Sequence, residues 1–167
     1  MEIREVSTFM DYLTSTHQRT RKVIMCIPPV DLEWSPAPGK YSFGDIIRHL
    51  AGIERFMYGE TVHGRKSRYA GHGRDIADGW EKVIAYYDQM HAEARAMFSK
   101  LDAATLAGRS ITPAGTPITT WKWLRAMFEH EAHHRGQIYM MLAIRGVKTP
   151  PIFGLTEEEV VARSVRA

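Results

Sequence analysis

The sequence predicts an all-α protein, a four-helix bundle with long loops and a short crossover or hairpin before the last helix. Four long stretches place apolar residues three and four positions apart, which is the spacing of one buried helix face. Little of the chain alternates apolar and polar residues as a half-buried strand does. Four amphipathic helices bury their apolar faces around one shared core, so we expect the 167 residues to form a single domain over 1–167.

The first two helices are bounded by recognisable start and stop signals. Apolar residues recur at helical spacing over 3–27, and Pro28-Pro29 ends that run because proline lacks the amide donor. Ser42 then predicts the N-cap of the second helix, with Asp45 three residues later in the acidic position of a capping box. We expect this helix to end in the glycine-rich, basic segment 59–74.

The third helix differs sharply in composition from the connection that follows it. The helix is expected to begin near Asp75 or Asp78 and to bury an apolar face as far as Leu101. Glycine and proline then interrupt 105–118, which favours a short hairpin or an irregular crossover over another helix.

The fourth helix and the tail also carry capping signals. Thr119 or Thr120 can cap the fourth helix, which we expect to run as far as Gly146, because glycine commonly follows a helix end. Thr156 is followed by three glutamates, which predicts one more short helix in the tail. Acidic side chains suit this position because the N-terminal end of a helix carries partial positive charge.

Composition and charge exclude several classes of protein. A single cysteine, Cys26, cannot form an internal disulfide, and no apolar run approaches the length of a membrane span. The N-terminus lacks the apolar core of a secretion signal, so we expect a cytoplasmic protein with no membrane partner. The net charge is only +3, and the one basic cluster, at 65–68 with Arg74, is expected to be a solvated loop. A nucleic-acid partner is the weaker interpretation of that cluster.

Eight histidines stand out, and two of them lie one helical turn apart. His130 and His134 occupy positions i and i+4 of the fourth helix, so their rings project from one face. The same face carries apolar residues, and two buried imidazoles without a partner would be costly, whereas a metal ion satisfies both. His49 is the best candidate for a third ligand because it lies on the apolar face of the second helix. His133 could replace either neighbour, in a less well aligned pair.

The other four histidines carry weaker signals. His17 and His91 lie near the apolar stripes of the first and third helices, where a core or boundary histidine, or the lining of a pocket, is expected. His63 and His72 lie in the glycine-rich segment and are expected to be solvated.

The letters HEAHH at 130–134 also satisfy the zincin pattern H-E-x-x-H, in which Glu131 would be a general base. A third ligand of that type would come from the glutamates at 157–159. A zincin needs a β-sheet before its motif helix, whereas this chain is predicted to be helical there. We therefore treat a zincin as the minor alternative.

Two segments resemble the DinB/YfiT-like proteins, namely YSFGDIIRHLAGIER at 41–55 and HEAHHRGQ at 130–137. The resemblance extends from the first helix to about Gly146, and the ending His-Arg-Gly-Gln is its most specific part. It implies an up-down-down-up bundle, often a homodimer, that holds one divalent metal ion. Zn and Ni are the first choices for that ion, with Mn and Fe as alternatives. The implied ligands are His49, His130 and His134.

The resemblance also implies an enzyme. Similar proteins include maleylpyruvate isomerases that use mycothiol and transferases that attach bacillithiol or another small thiol to electrophiles. A metal ion with an open position lowers the pKa of a bound thiol or water, which makes a nucleophile at neutral pH. We therefore expect a metal-dependent thiol transferase or hydrolase with a small-molecule substrate and a low-molecular-weight thiol as cosubstrate. The alternative is a non-enzymatic, stress-linked binding protein whose metal is structural.

Two polar residues near the implied ligands are candidate assistants. Asp45 lies four residues before His49, and it would either orient that imidazole or serve only as the acid of the helix N-terminus. Gln137 lies three residues after His134, and it would bond a ligand or hold a water molecule.

Overall fold

The computed structural model describes residues 2–165, and helices account for most of them. Within this range, no helix is both long and apolar enough to cross a membrane. The elements, in chain order, are α1 (Val6–Ile24), a 3-10 turn (Pro29–Asp31), α2 (Phe43–Ile53), a π-helical turn (Glu54–Tyr58), one more α-helical turn (Gly59–Thr61), α3 (Trp80–Phe98), α4 (Ala103–Ala107), β1 (Arg109–Ile111), β2 (Pro117–Thr119), α5 (Thr120–Ile144) and α6 (Glu157–Arg163).

α2 starts where the sequence predicts and then changes its helical pitch. Ser42 Oγ accepts the backbone N–H of Asp45 at 3.0 Å, and Asp45 Oδ2 accepts the backbone N–H of Ser42 at 2.9 Å. These two bonds form the predicted capping box. The helix continues directly into the π-helical turn Glu54–Tyr58 and ends at Thr61, inside the predicted segment 59–74. The sequence pattern located the helix, but it carried no sign of the change of pitch.

α3 begins later than the sequence predicts. Its first residue is Trp80, because Gly79 takes a φ of 85°, a left-handed conformation that a right-handed helix does not include. Of the two predicted starts, Asp78 lies two residues before the observed one and Asp75 lies five residues before it. The apolar pattern was correct, and the boundary depends on one glycine whose conformation the pattern does not reveal.

The connection to α5 is the predicted hairpin, since β1 and β2 pair antiparallel with Arg109 opposite Thr119. The short helix α4, which was not predicted, precedes the hairpin. Asp102 caps it, because its carboxylate accepts the backbone N–H of Thr105 at 2.7 Å. Thr119 lies at the N-cap of α5, and Thr156 forms the capping box that opens α6, so both predicted helix starts are confirmed.

The long helices enclose an apolar interior that is divided in two. α2 packs against α3 and α5, and α1 packs against α5 and α3. One apolar cluster includes Ile47 and Ile138, and the other, toward the opposite helix ends, includes Phe9 and Phe98. Between the clusters lies a set of buried polar side chains, here called the polar layer. Its members are Thr16, His17, Thr20, Glu54, His91, Glu131, His134 and Arg135.

The side chain of Arg48 links two loops to α2 through hydrogen bonds. Its side chain is fully buried, and its guanidinium donates to the carboxylates of Glu33 (2.8 and 3.0 Å) and Asp45 (2.9 Å). It also donates to the backbone carbonyls of His72 (2.7 Å) and Ala77 (3.1 Å). The loop before α2 and the loop after it are thereby held in place, and the second loop carries side chains of the site described next.

Candidate metal centre

Three histidine side chains meet where α2 and α5 pack together. His49 comes from α2, while His130 and His134 come from one face of α5. His130 Nε2 lies 3.0 Å from His49 Nε2 and 3.1 Å from His134 Nε2. The structure thus brings together the three histidines that the sequence predicted as ligands. His133, the alternative to His130 or His134, is exposed and lies outside the group.

Hydrogen bonds hold the outer nitrogens of two of the rings. His134 Nδ1–H donates to Oε1 of Gln137 at 2.7 Å. Because an amide oxygen only accepts, a neutral His134 carries its proton on Nδ1 and presents a lone pair on Nε2. Tyr69 Oη lies 2.6 Å from His49 Nδ1 and 3.3 Å from His72 Nδ1. When this hydroxyl accepts the Nδ1 proton of His49 and donates to His72, His49 also presents a lone pair on Nε2.

Burial keeps the three rings uncharged near neutral pH. It lowers the pKa of His49 to about 3 and the pKa of His130 to about 4, and the charges of neighbouring histidines add to both effects. Burial also lowers the pKa of His134, although the bond to Gln137 opposes this. The neutral imidazole is the form that binds a metal ion.

The two short contacts between these rings cannot both be hydrogen bonds. When His49 and His134 present lone pairs, only His130 can donate, and one N–H satisfies one contact. The other contact then sets two buried lone pairs against each other. A divalent cation bonded to all three nitrogens removes this conflict, and tetrahedral zinc with bonds of ~2.0–2.1 Å places its ligand atoms about 3.3 Å apart. The donor set therefore fits a metal ion.

The two candidate assistants lie in different places. Gln137 contacts a ligand histidine, as expected. Asp45 makes no hydrogen bond to His49 in the described structure, because its carboxylate oxygens accept from Ser42 and Arg48. Of the two roles considered for Asp45, the acid of the helix N-terminus is the one observed.

Tyr69 was missed by the sequence analysis, and the expectation that His72 is solvated was wrong. Both side chains are half-buried and belong to the outer hydrogen bonds of the centre. Their loop has no periodicity from which its position could be inferred. One available signal was Arg48, a basic residue next to His49 on the apolar face of α2, because a buried guanidinium has to find several acceptors.

Glu131 bonds to α1 and is not one of the converging metal-ligating side chains, which removes the zincin alternative. Its carboxylate accepts the hydroxyl proton of Thr20 on α1 at 2.5 Å. Burial raises the pKa of Glu131 to about 7, and the charge of Glu54 adds to the shift. The acids at 157–159 are exposed on α6, and the strands of the described region form one small hairpin rather than a sheet under the motif helix.

A cavity of about 600 Å³ opens beside the centre. Gln137 and Tyr41 line it, and the ring centroid of Tyr41 lies 5.9 Å from that of His49 and 6.3 Å from that of His134. Lys40 adds one cationic side chain to the lining. The rest is largely apolar and includes Ile46, Met140, Met141 and Ile144.

The basic segment after α2 is built around a buried acid. Glu60 is only 2% exposed, and it accepts hydrogen bonds from Arg55, Arg65 and Arg68. Burial alone would raise the pKa of Glu60, but these bonds hold it at about 2. Part of the positive charge at 65–68 is therefore balanced within the fold.

Replacing Tyr69 with phenylalanine is expected to weaken metal binding at the centre by roughly 10- to 100-fold, because the variant loses the hydroxyl that orients His49. Competition against a chromogenic chelator would measure the affinity for Zn²⁺. Tyr86→Phe is the matched control, since Tyr86 is also half-buried and makes no hydrogen bond to these histidines in the described structure. An affinity unchanged by Tyr69→Phe would show that the hydroxyl does not act on His49.

Comparison of the sequence and of the fold with known proteins finds DinB proteins in both cases. The model of the DinB superfamily matches residues 12–138. A DinB-like protein from Bacillus cereus ATCC 10987 superposes with a TM-score of 0.70 at 17% identity, over 89% of this chain and 97% of that one. A DinB-like protein from Bacillus subtilis, YjoA, gives 0.69 at 15% identity, over 87% and 96%. At these identities the likeness shows a common fold. No curated protein matches the chain.

Proposed function

Because the chain belongs to the DinB superfamily, we propose that it holds one divalent cation on three histidines and acts as an enzyme on a small electrophilic substrate. The reaction we propose is the transfer of a thiol to that substrate, with hydrolysis as the second form of the same chemistry. The supporting observation is the convergence of three neutral imidazoles beside a cavity. Zn and Ni suit such ligands best, and Mn and Fe are the alternatives. The ligands are His49, His130 and His134.

The bound cation would supply a Lewis acid that lowers the pKa of a thiol or of water, at the position that three protein ligands leave open. The side chains around the centre have supporting tasks. Gln137 and Tyr69 fix the planes of His134 and His49 through the outer ring nitrogens. Tyr41 lies beside His49 and His134 at the edge of the cavity, where a bound substrate would exclude bulk water together with it.

The lining of the cavity suggests the class of substrate. Ile46, Met141 and Ile144 offer an apolar surface, while Lys40 offers one positive charge. A compound with an apolar body and one anionic group, such as a carboxylate, matches this combination. Tyr41 adjoins both the cavity and the centre, so the reacting end of the compound would be placed near its ring.

We also propose the arrangement of the helices and of the assembly. The contacts of α1 with α3 and α5, together with those of α2 with the same two helices, suit an up-down-down-up four-helix bundle. The homodimer is proposed from the family resemblance.

The proposed activity is tested with cysteine or glutathione as the thiol and 1-chloro-2,4-dinitrobenzene as the electrophile, and with 4-nitrophenyl acetate for hydrolysis. We expect protein loaded with Zn²⁺ or Ni²⁺ to exceed His134→Ala by at least about tenfold in one of these assays, with activity lost in EDTA and restored by the metal. Equal rates for the wild type and His134→Ala in every assay would refute the proposed metal-dependent activity. Loss of the fold on chelation, without any activity, would favour the structural metal instead.

A further inference from the structure

The polar layer contains a second group of metal-ligating side chains, apart from the centre described above. His17 comes from α1, Glu54 opens the π-helical turn, and His91 comes from α3. Their exposed fractions are 8%, 7% and 8%, so all three are buried. One ligand atom from each residue lies within 4.8 Å of the others. Three chain segments distant in sequence therefore place two imidazoles and a carboxylate at one point inside the protein.

Hydrogen bonds within the described residues leave this group incomplete. His91 Nδ1–H donates to Glu54 Oε1 at 2.9 Å. The ring of His17 lies parallel to that of His91, with 3.4 Å between centroids and 7° between planes. His17 Nδ1 is inaccessible to solvent and has no hydrogen-bond partner. A buried polar atom without a partner is rare in folded proteins and calls for an explanation.

Two further observations suit a ligand at this place. Burial, with the charge of His91 as the next cause, lowers the pKa of His17 to about 3. The ring is therefore neutral near pH 7 and can give a lone pair to a metal ion. Glu54 begins a π-helical turn, a rare distortion that frequently occurs at functional sites. The turn changes the direction of side chains along α2, and Glu54 is the one that faces His91.

We propose that His17, Glu54 and His91 form a second binding site, for a divalent transition-metal cation. Two imidazole nitrogens and one carboxylate oxygen are a donor set that Zn²⁺ and Fe²⁺ use in proteins, and Co²⁺ substitutes for either as a probe. The cation bonds the free nitrogen of His17 and offsets the buried charge of Glu54. Because the in-plane lone pairs of parallel rings point side by side, binding turns the rings of His17 and His91 out of their stack.

The second site borders the first but does not share its ligands. Glu54 also lines a cavity of about 10 Å³ together with Glu131 and His130. This space suits about one water molecule, so the carboxylates of the polar layer and a ligand of the metal centre contact the same small volume. Because the two sites have no ligand in common, each can be emptied by substitutions that leave the ligands of the other intact.

The test uses apo-protein titrated with Co²⁺ alone, with binding followed by the visible absorption of the cation. The wild type is expected to bind two equivalents, whereas His134→Ala, His17→Ala and Glu54→Gln are each expected to bind one. The double variant His134→Ala/His17→Ala is expected to bind none. His63→Gln, which changes a histidine outside both groups, should keep two. Circular dichroism checks that each variant is folded, and Glu54→Gln replaces His17→Ala if the latter fails to fold.

A wild type that binds one equivalent and loses it in His134→Ala would overturn the second site while leaving the proposed enzyme intact. One equivalent that survives His134→Ala but is lost in His17→Ala or Glu54→Gln would support the second site and contradict the metal centre. In crystals of the wild type soaked with Co²⁺, an anomalous peak is expected between His17, Glu54 and His91. The absence of that peak at full occupancy of the first site would overturn the proposal.

Discussion

His134→Ala is expected to remove one full equivalent of bound metal and to weaken binding at the centre by more than roughly 100-fold, because the variant deletes a ligand rather than a group that orients one. His49→Ala and His130→Ala should have the same effect, since each ring supplies one of the three converging nitrogens. The helices should stay formed because the two apolar clusters hold them together. Metal content by ICP-MS, with circular dichroism on the same samples, measures both expectations.

The matched control for these variants is His133→Gln. His133 lies on the same helix, next to His134, but it is exposed and outside the converging group. The control should keep the metal content of the wild type. If His134→Ala also kept it, the convergence of the three rings would be a feature of packing and the metal centre would be refuted.

Arg48→Ala is expected to lower the free energy of unfolding by about 3 kcal/mol, at the lower end of the range for breaking a buried ion pair. The guanidinium is fully buried, whereas the side chains of Glu33 and Asp45 are 30% and 26% exposed and regain part of their hydration. The backbone carbonyls of His72 and Ala77 also lose a donor. Urea denaturation followed by circular dichroism gives the change.

Arg74→Ala is the control for this second prediction. Its ion pair with Asp78 joins two side chains that are 63% and 55% exposed, so the expected change stays within about 0.5 kcal/mol. Arg48→Ala should also weaken metal binding, because the loop carrying Tyr69 and His72 loses the two hydrogen bonds that Arg48 donates to it. A loss of stability no larger than that of Arg74→Ala would contradict the role given to Arg48.

The sequence predicted the long helices because the spacing of apolar residues and the capping residues are local signals. Ser42 and Thr156 opened the helices they were expected to open. The start of α3 was predicted only to within two residues of Asp78, because one backbone angle, at Gly79, decides it. The π-helical turn was missed because a change of pitch over a single turn leaves the apolar pattern nearly unchanged.

The ligands of the metal centre were predictable from a local signal, but the side chains that hydrogen-bond to those ligands from the loop after α2 were not. His130 and His134 are four residues apart on one helix, so their meeting follows from helix geometry. The hydroxyl of Tyr69 reaches His49 from a loop whose course depends on Arg48, and no spacing in the sequence encodes that contact. The homodimer, the cytoplasmic location and the identity of the metal stay predictions.

The division of the interior by the polar layer has a consequence for protein engineering. The two apolar clusters have no residue in common, so substitutions in one should add to substitutions in the other. The end of the molecule around Phe9 and Phe98 can then be repacked for thermal resistance without disturbing the end around Ile47 and Ile138. Changes at Thr20, Glu131 and Arg135 of the polar layer should be strongly non-additive, because these side chains share hydrogen bonds across α1 and α5.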